Sequence, residues 1–183
     1  MRKIGFALVL LLLCSGLAGA QIPTSANVFF GYSYYNTTNL STGDRTSING
    51  WEASVEGKIV PFIGFVADFD SHYGTLGVVC LSGAGPCSYT SGHEENFLFG
   101  PRVGAPVGKF RPFAEALFGA AHVNVNPNSF ISDNSFATAV GGGLDYKIIR
   151  PLAWRFQGDY VHTHFVGAAQ NNVRISTGIV LRF

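Results

Sequence analysis

Two histidines late in the chain are the residues whose type and spacing best suit acid–base or metal chemistry. His162 and His164 stand on either side of Thr163. An imidazole exchanges protons near neutral pH and also binds transition metals. A nucleophilic mechanism would further need a serine or cysteine beside the histidine and an acid that orients it. Neither neighbour of His162 is a serine or cysteine, so the pair alone does not predict a catalytic site.

Two cysteines offer a different chemistry. Cys80 and Cys87 flank residues 81–86, a short segment rich in glycine. In an oxidising compartment an even pair of cysteines predicts a disulfide, which here would close a small hairpin. The alternative is a metal site that also uses His93, but too few ligands converge for it. We therefore predict a disulfide between Cys80 and Cys87, no metal site and no cofactor.

The charged residues form a third pattern, because many of them recur at every second position. Asp68 and Asp70, for example, alternate with Ala67 and Phe69. A period of two puts the charges on one face of a β-strand and the apolar residues on the other. The charges would therefore meet one another only if several such strands were placed side by side.

Eight segments have this character and are separated by turn-rich breaks. They are residues 26–35, 46–57, 61–73, 93–104, 109–125, 134–147, 150–164 and 171–183. Soluble strands usually have about five or six residues, whereas a tilted membrane strand needs about 9 to 11. Short breaks at residues 57–61, 105–108 and 146–150 alternate with longer polar ones, as in barrels with short periplasmic turns and long external loops. The predicted fold class is all-β, an eight-stranded antiparallel up-and-down transmembrane β-barrel.

The two faces of these strands must then be assigned to lipid and to the interior. The apolar face carries bulky aromatic residues such as Trp51 and Phe156, whereas eight strands enclose a space just wide enough for side chains. The charged face also carries small residues, Gly64 and Gly141 among them, which leave room for long side chains. We therefore predict that the apolar face contacts lipid and that the charged face lines the lumen. A secreted barrel that binds an apolar ligand inside is the alternative.

Opposite charges enclosed in a narrow tube should pair, since an isolated buried charge costs several kcal/mol or more. The structural interpretation is a salt-bridge network that plugs the lumen. The functional interpretation is a gated, charge-lined path through the lumen. The residues predicted to form the network are Glu52, Glu56, Asp68, Arg102, Arg111, Glu115, Asp145, Arg155, Asp159, Arg174 and Arg182.

The first residues of the chain predict export. Arg2 and Lys3 precede an apolar run at residues 4–14, and the small residues Ala18-Gly19-Ala20 follow. This is the pattern of a secretory signal peptide that is cleaved near Ala20. The domains expected are thus a signal peptide at residues 1–20 and an outer-membrane β-barrel at residues 21–183.

Two other interpretations of the leader, and one of the whole chain, are weaker. The apolar run is shorter than the ~20 residues of a membrane anchor. A lipoprotein usually has a small residue before its lipidated cysteine, whereas Leu13 precedes Cys14. The net charge is only +1, so nucleic-acid binding has no electrostatic support.

At its C-terminus the chain resembles a known family. Its ending, ISTGIVLRF (residues 175–183), is similar to the terminal strand of outer-membrane proteins, with alternating apolar residues and a final aromatic. The segments FRPFAEALFG (110–119) and GGGLDY (141–146) resemble strands of the outer-membrane protein β-barrel domain family, the small barrels similar to that of outer-membrane protein A. The resemblance implies recognition of Phe183 by the barrel assembly machinery. No peptidoglycan-binding domain follows Phe183, so a tethering role is not expected.

Three functions remain open at this stage. The first is a structural or surface-interaction protein of the outer membrane, in contact with its lipid and lipopolysaccharide, whose barrel anchors exposed loops. The second is a narrow porin-like channel for small solutes, suggested by the charged lumen. The third, suggested by small barrels that modify lipids, is an outer-membrane hydrolase using His162. We expect the first and no enzymatic activity, and the sequence identifies no partner for the loops.

Overall fold

The computed structural model describes residues 25–39, 43–80, 87–125, 131–165 and 167–183, with backbone alone for 77–80, 87–89 and 131. The predicted signal peptide and its cleavage point lie outside these residues. The strands are β1 (Ala26–Thr38), β2 (Arg45–Val60), β3 (Ile63–Cys80), β4 (Cys87–Gly104), β5 (Phe110–Val125), β6 (Ile131–Lys147), β7 (Leu152–Phe165) and β8 (Ala168–Arg182).

Each strand pairs antiparallel with the next, and β8 pairs with β1 to close the barrel. Closure runs from Asn27 opposite Arg182 to Asn36 opposite Val173. The predicted fold class is confirmed. No helix in the described part of the chain has the length and apolar character needed to cross a membrane.

The two ends of the barrel differ. At one end, which we call the short-turn end, β1 begins and β8 ends. The three short connections predicted from the sequence lie at the same end. At the other, the long-loop end, β3 and β4 continue past the predicted bounds as a hairpin in which Cys80 stands opposite Cys87. Residues 74–80 and 87–92, predicted as part of a loop, thus belong to strands β3 and β4. Their glycine, serine and threonine content is typical of loops, but the ladder between β3 and β4 continues through it.

Large apolar side chains point outward along the middle of the barrel. Phe136, Val140 and Phe156 are 68%, 64% and 59% exposed. Tyr32 lies toward the long-loop end and Trp154 toward the short-turn end. The polar atom of each ring donates a hydrogen bond to a residue on a neighbouring strand. The Tyr32 hydroxyl donates to Asn49 Oδ1, and Trp154 Nε1 donates to Thr177 Oγ1 over 2.9 Å. An aromatic ring with one polar atom is typical of a membrane–water boundary.

The interior changes in character along the barrel axis. The short-turn end and the middle contain buried charged residues, as the sequence pattern predicts. Toward the long-loop end apolar side chains join the inward polar ones, among them Ile48, Leu76 and Phe165, and the carboxylic side chain of Glu94 is also buried there. On the outside at that end, polar residues such as His162 are exposed. The strands here extend beyond the apolar outer belt, by which we mean the exposed apolar side chains around the middle of the barrel. The interior is therefore richest in charged residues at the short-turn end and in the middle, and mixed near the long-loop end.

Candidate functional site: the ion pairs inside the barrel

Arginines dominate the interior near the short-turn end. Arg111 donates to both carboxylate oxygens of Glu56, over 2.5 Å from Nη2 and 3.0 Å from Nη1. Arg155 holds Asp145 in the same two-point manner, over 2.7 Å from Nε and 3.1 Å from Nη2. Two-point pairs of this kind fix geometry as well as charge. We call the whole group the arginine-rich network; its members are Arg102, Arg111, Arg155, Arg182, Glu56, Glu115 and Asp145.

Two phenylalanine rings lie among these arginines, although aromatic residues were predicted on the outer face. The guanidinium carbon of Arg155 is 5.1 Å from the centre of the Phe29 ring and 4.6 Å from that of Phe113. Arg102 lies 4.5 Å from the same Phe113 ring. Desolvated cation–π contacts are worth about 2 kcal/mol or more. Gly143 makes space for this stack, since a Cβ there would come within 2.8 Å of the Phe113 ring.

Carboxylates dominate the middle of the lumen. Arg174 donates to Asp68 over 2.6 Å, to Asp159 over 2.9 Å and to Asp70, and its Nε lies 3.5 Å from Glu52. We call these five residues the acid-rich network. One guanidinium therefore joins carboxylates from β2, β3 and β7 to β8. Arg174 is fully buried, with an exposed fraction of 0%.

An imidazole extends the acid-rich network toward the long-loop end. Nδ1 of His72 lies 3.0 Å from Asp70 Oδ1, and Nε2 lies 2.9 Å from Ser33 Oγ. Ser33 Oγ is in turn 2.9 Å from Ser176 Oγ. An acid, an imidazole and a hydroxyl in this order also occur in serine hydrolases. Here all three are fully buried, so a substrate has no access and the line serves to join β3, β1 and β8.

Gln157 connects the two networks. Its Nε2 lies 2.9 Å from Glu115 Oε1 of the arginine-rich network. The same nitrogen lies 3.1 Å from Glu52 Oε1 and 2.9 Å from Asp159 Oδ2 of the acid-rich network. The sequence places Gln157 on the inward face but gives no sign of this bridging contact. His72 also has the inward parity, and its distance in sequence from Ser33 hides their contact.

The charges are separated along the lumen. The arginine-rich network has four arginines and three carboxylates, and the acid-rich network has one arginine and four carboxylates. The two halves therefore hold opposite excesses of basic and acidic side chains, and the uncharged amide of Gln157 lies between them. All eleven residues proposed from the sequence lie in these two networks, together with Asp70.

The other sequence candidates lie elsewhere. His162 is on the outer surface near the long-loop end, where its Nδ1 is 2.7 Å from Asn171 Oδ1. His93 packs at ring distance from Tyr73 and from His122. Among the described residues, no three His, Cys, Asp or Glu side chains are arranged to hold a metal ion. The side chains of Cys80 and Cys87 lie outside the described part, so their disulfide stays a prediction.

Comparison with known proteins shows which solved structures share this fold. No protein-family model and no curated protein matches the chain. Among solved structures it is similar to neisserial surface protein A, with a TM-score of 0.66, 11% identity, and 86% of this chain and 97% of that chain covered. It is also similar to Ail, the attachment invasion locus protein of Yersinia pestis, with a TM-score of 0.59, 12% identity and 87% and 98% coverage.

A third structure, outer membrane protein OprG from Pseudomonas aeruginosa, has a TM-score of 0.58, 8% identity and 90% and 98% coverage. The chain has the fold of the small outer-membrane β-barrels. At these identities the likeness concerns the path of the backbone. The two ion-pair networks therefore rest on the side chains of this protein alone.

Replacement of Arg174 tests the acid-rich network. Arg174→Met leaves four buried carboxylates without their cation, and breaking a buried pair costs about 3–5 kcal/mol. We expect a loss of that size in the free energy of unfolding, measured by urea titration of the protein in lipid vesicles. The matched control is Arg45→Met, at an exposed position where Nη1 reaches only the Asn171 carbonyl, 2.5 Å away. Equal small losses in both variants would show that the network is not needed for stability.

Proposed function

We propose that this protein is an integral outer-membrane barrel whose lumen is closed by ion pairs and whose long-loop end is presented at the cell surface. In this proposal residues 1–20 direct export and are removed, and residues 21–183 form the barrel. The short-turn end faces the periplasm. The role is structural or surface-interacting, and it involves no catalysis.

One observation carries this proposal, the inverted placement of apolar and charged residues. Bulky side chains such as Phe30, Phe136 and Phe156 are more than half exposed, while Arg102, Arg155 and Arg174 have exposed fractions of 0%. Water would disfavour both placements, because apolar surface would stay hydrated and charges would be stripped of water. A lipid environment removes the first cost and leaves the salt bridges to offset the second. A secreted barrel would need the opposite arrangement.

A closed lumen is favoured over the porin-like alternative by the packing of its contents. Glu52, Asp68, Arg174 and Gln157 are fully buried in the middle of the barrel, and each is tied to partners on other strands. An ion would have to break several of these contacts to pass. Toward the long-loop end the apolar cluster around Ile48 and Leu76 forms a second layer.

The surface role is supported by the hairpin of β3 and β4, which reaches beyond its neighbours. The β2–β3 ladder ends at Asn49 opposite Tyr73, whereas β3 and β4 pair on to Cys80 and Cys87. This hairpin is the element best placed to meet a surface partner or lipopolysaccharide. Assembly is proposed to use the terminal strand, where Phe183 is exposed at the short-turn end and its backbone pairs with Ala26 over 2.8 Å.

A charge on the outer face tests the membrane location. Val140 is exposed in the middle of β6, and Ser132 lies on the same face near the long-loop end. We expect Val140→Arg to reduce the unfolding free energy in bilayers by about 2–4 kcal/mol, and Ser132→Arg by about 0–1 kcal/mol. Reversible urea unfolding in vesicles measures both. Tolerance of Val140→Arg equal to that of Ser132→Arg would contradict burial of this face in lipid.

Conductance tests the closed lumen. We expect the purified, refolded protein to insert into planar bilayers without stable single-channel steps, because the two networks fill the passage. Insertion is checked in parallel by heat-modifiable gel mobility, and bilayers exposed to detergent alone give the background. Reproducible steps of one size would support the porin-like alternative and overturn the closed lumen.

The disulfide proposed between Cys80 and Cys87 can be tested separately. Their backbones are directly opposite across the hairpin, which brings two cysteines within bonding range when their side chains share a face. Thiol titration of the denatured, unreduced mature protein should find no free thiol, and titration after reduction should find both. A Cys80→Ser variant should expose the thiol of Cys87. Two free thiols before reduction would contradict the bond.

A further inference from the structure

A cavity of about 460 Å³ opens at the short-turn end, beside the point where the barrel closes. It lies between the β6–β7 connection and the end of β8, where Arg182 N donates to the Pro151 carbonyl over 2.8 Å. The lining residues are Lys147, Ile149, Arg150, Pro151, Arg182 and Phe183. We call it the rim cavity. It is separate from the buried networks except that Arg182 belongs to both.

Three cations line the rim cavity, and none of its lining residues has an acidic side chain. Arg182 contacts Asp145 through Nη2 over 3.1 Å, and its Nε has no hydrogen-bond partner among the described residues. Lys147 and Arg150 form no ion pair with any carboxylate in the described part of the chain, that of Phe183 included. Lys147 and Arg150 therefore give the cavity excess positive charge for an anion, while the Nε of Arg182 is itself buried.

The whole short-turn end has the same sign. The lysines of the other two short connections, Lys58 and Lys109, also lie here, whereas the carboxylates nearest this end, Glu56 and Asp145, are buried in ion pairs. Exposed charge among the described side chains at this end is thus positive. An anion approaching the rim is attracted before it makes contact.

The remaining walls of the rim cavity are apolar and continue into the outer belt. Ile149 is 60% exposed and Phe183 is 73% exposed. Leu181 and Trp154 continue the same exposed surface up the outside of the barrel. An occupant with a negative head and an apolar tail would satisfy both parts. A free anion would leave the apolar wall in water.

We propose that the rim cavity binds the anionic headgroup of a phospholipid in the leaflet that the short-turn end reaches. The phosphate lies among Lys147, Arg150 and Arg182, and the acyl chains descend along Phe183 and the belt. The site thereby fixes the depth of the barrel at its closing seam. This inference rests on the membrane location proposed above, and it adds a specific lipid contact to it.

Lipid retention tests the site. The mature protein in mixed micelles is titrated with phosphatidylglycerol or with phosphatidylcholine, and one-lipid adducts are measured by native mass spectrometry. A cation near an anionic lipid surface contributes roughly fivefold in affinity, so we expect Arg150→Gln to weaken phosphatidylglycerol binding about fivefold and Lys147→Gln/Arg150→Gln roughly 25-fold. Phosphatidylcholine binding should change little.

The control is Lys109→Gln, which removes one exposed charge from the same end without lining the cavity. An effect of Lys109→Gln equal to that of Arg150→Gln would overturn the site in favour of diffuse attraction. Equal binding of phosphatidylglycerol and phosphatidylcholine to the wild-type protein would overturn it as well. Displacement of the lipid by millimolar inorganic phosphate would show an anion site that does not select lipid, against the proposal.

Membrane insertion is read from the same samples by heat-modifiable mobility. Protein that never inserts would count against the membrane location itself. Protein that inserts but shows no preference for phosphatidylglycerol would count against the rim cavity alone. If the double variant fails to refold, the comparison of Arg150→Gln with Lys109→Gln decides the matter.

Discussion

The structure depends on the pairing of charges inside a closed sheet of eight strands. The sheet leaves only enough interior for side chains, and five arginines and seven carboxylates of the two networks occupy it. All of these charged side chains except that of Arg182 are buried, and each finds its partner on another strand. Pairs between adjacent strands, such as Arg155 with Asp145, support the register of those strands, and pairs across the lumen, such as Arg111 with Glu56, join opposite sides of the barrel. A slip of one residue in β8, for example, would turn Arg174 and Arg182 to the outer face.

The arginines and the carboxylic side chains are unevenly distributed along the barrel axis. Arginines gather near the short-turn end and carboxylates in the middle, with Gln157 between them. The excess of arginine near the short-turn end agrees with the exposed lysines at the same end, and both would favour the proposed orientation, in which this end faces anionic lipid. The distribution of the buried charged residues thus also distinguishes the two ends of the barrel.

The face that each residue occupies follows largely from the local sequence, whereas the partners of the buried residues do not. The period of two in β3, from Ala67 to Asp70, fixes which face each residue occupies, and so the inward charges were predictable one strand at a time. The partner of each charged residue could not be predicted in this way, because residues such as Glu52 and Arg174 lie far apart in the chain and meet only when β8 closes on β1. The inward rings of Phe29 and Phe113 were missed for a related reason. An aromatic residue in a strand usually indicates the apolar face, but Gly31 beside Phe29 and Gly143 beside Phe113 leave these two rings the space to lie inside.

The most direct test of the account is the environment of alternate side chains along β7. In bilayer nanodiscs that contain a lipid with a spin label on its acyl chain, NMR relaxation enhancement reports which side chains contact the hydrocarbon. The account predicts strong enhancement for the Trp154 indole and the Phe156 ring. It predicts weak enhancement for the Arg155 guanidinium and the Gln157 amide. Strong enhancement at Arg155 and Gln157, or none at Phe156, would contradict a barrel that turns its ion pairs inward and its aromatic residues toward lipid.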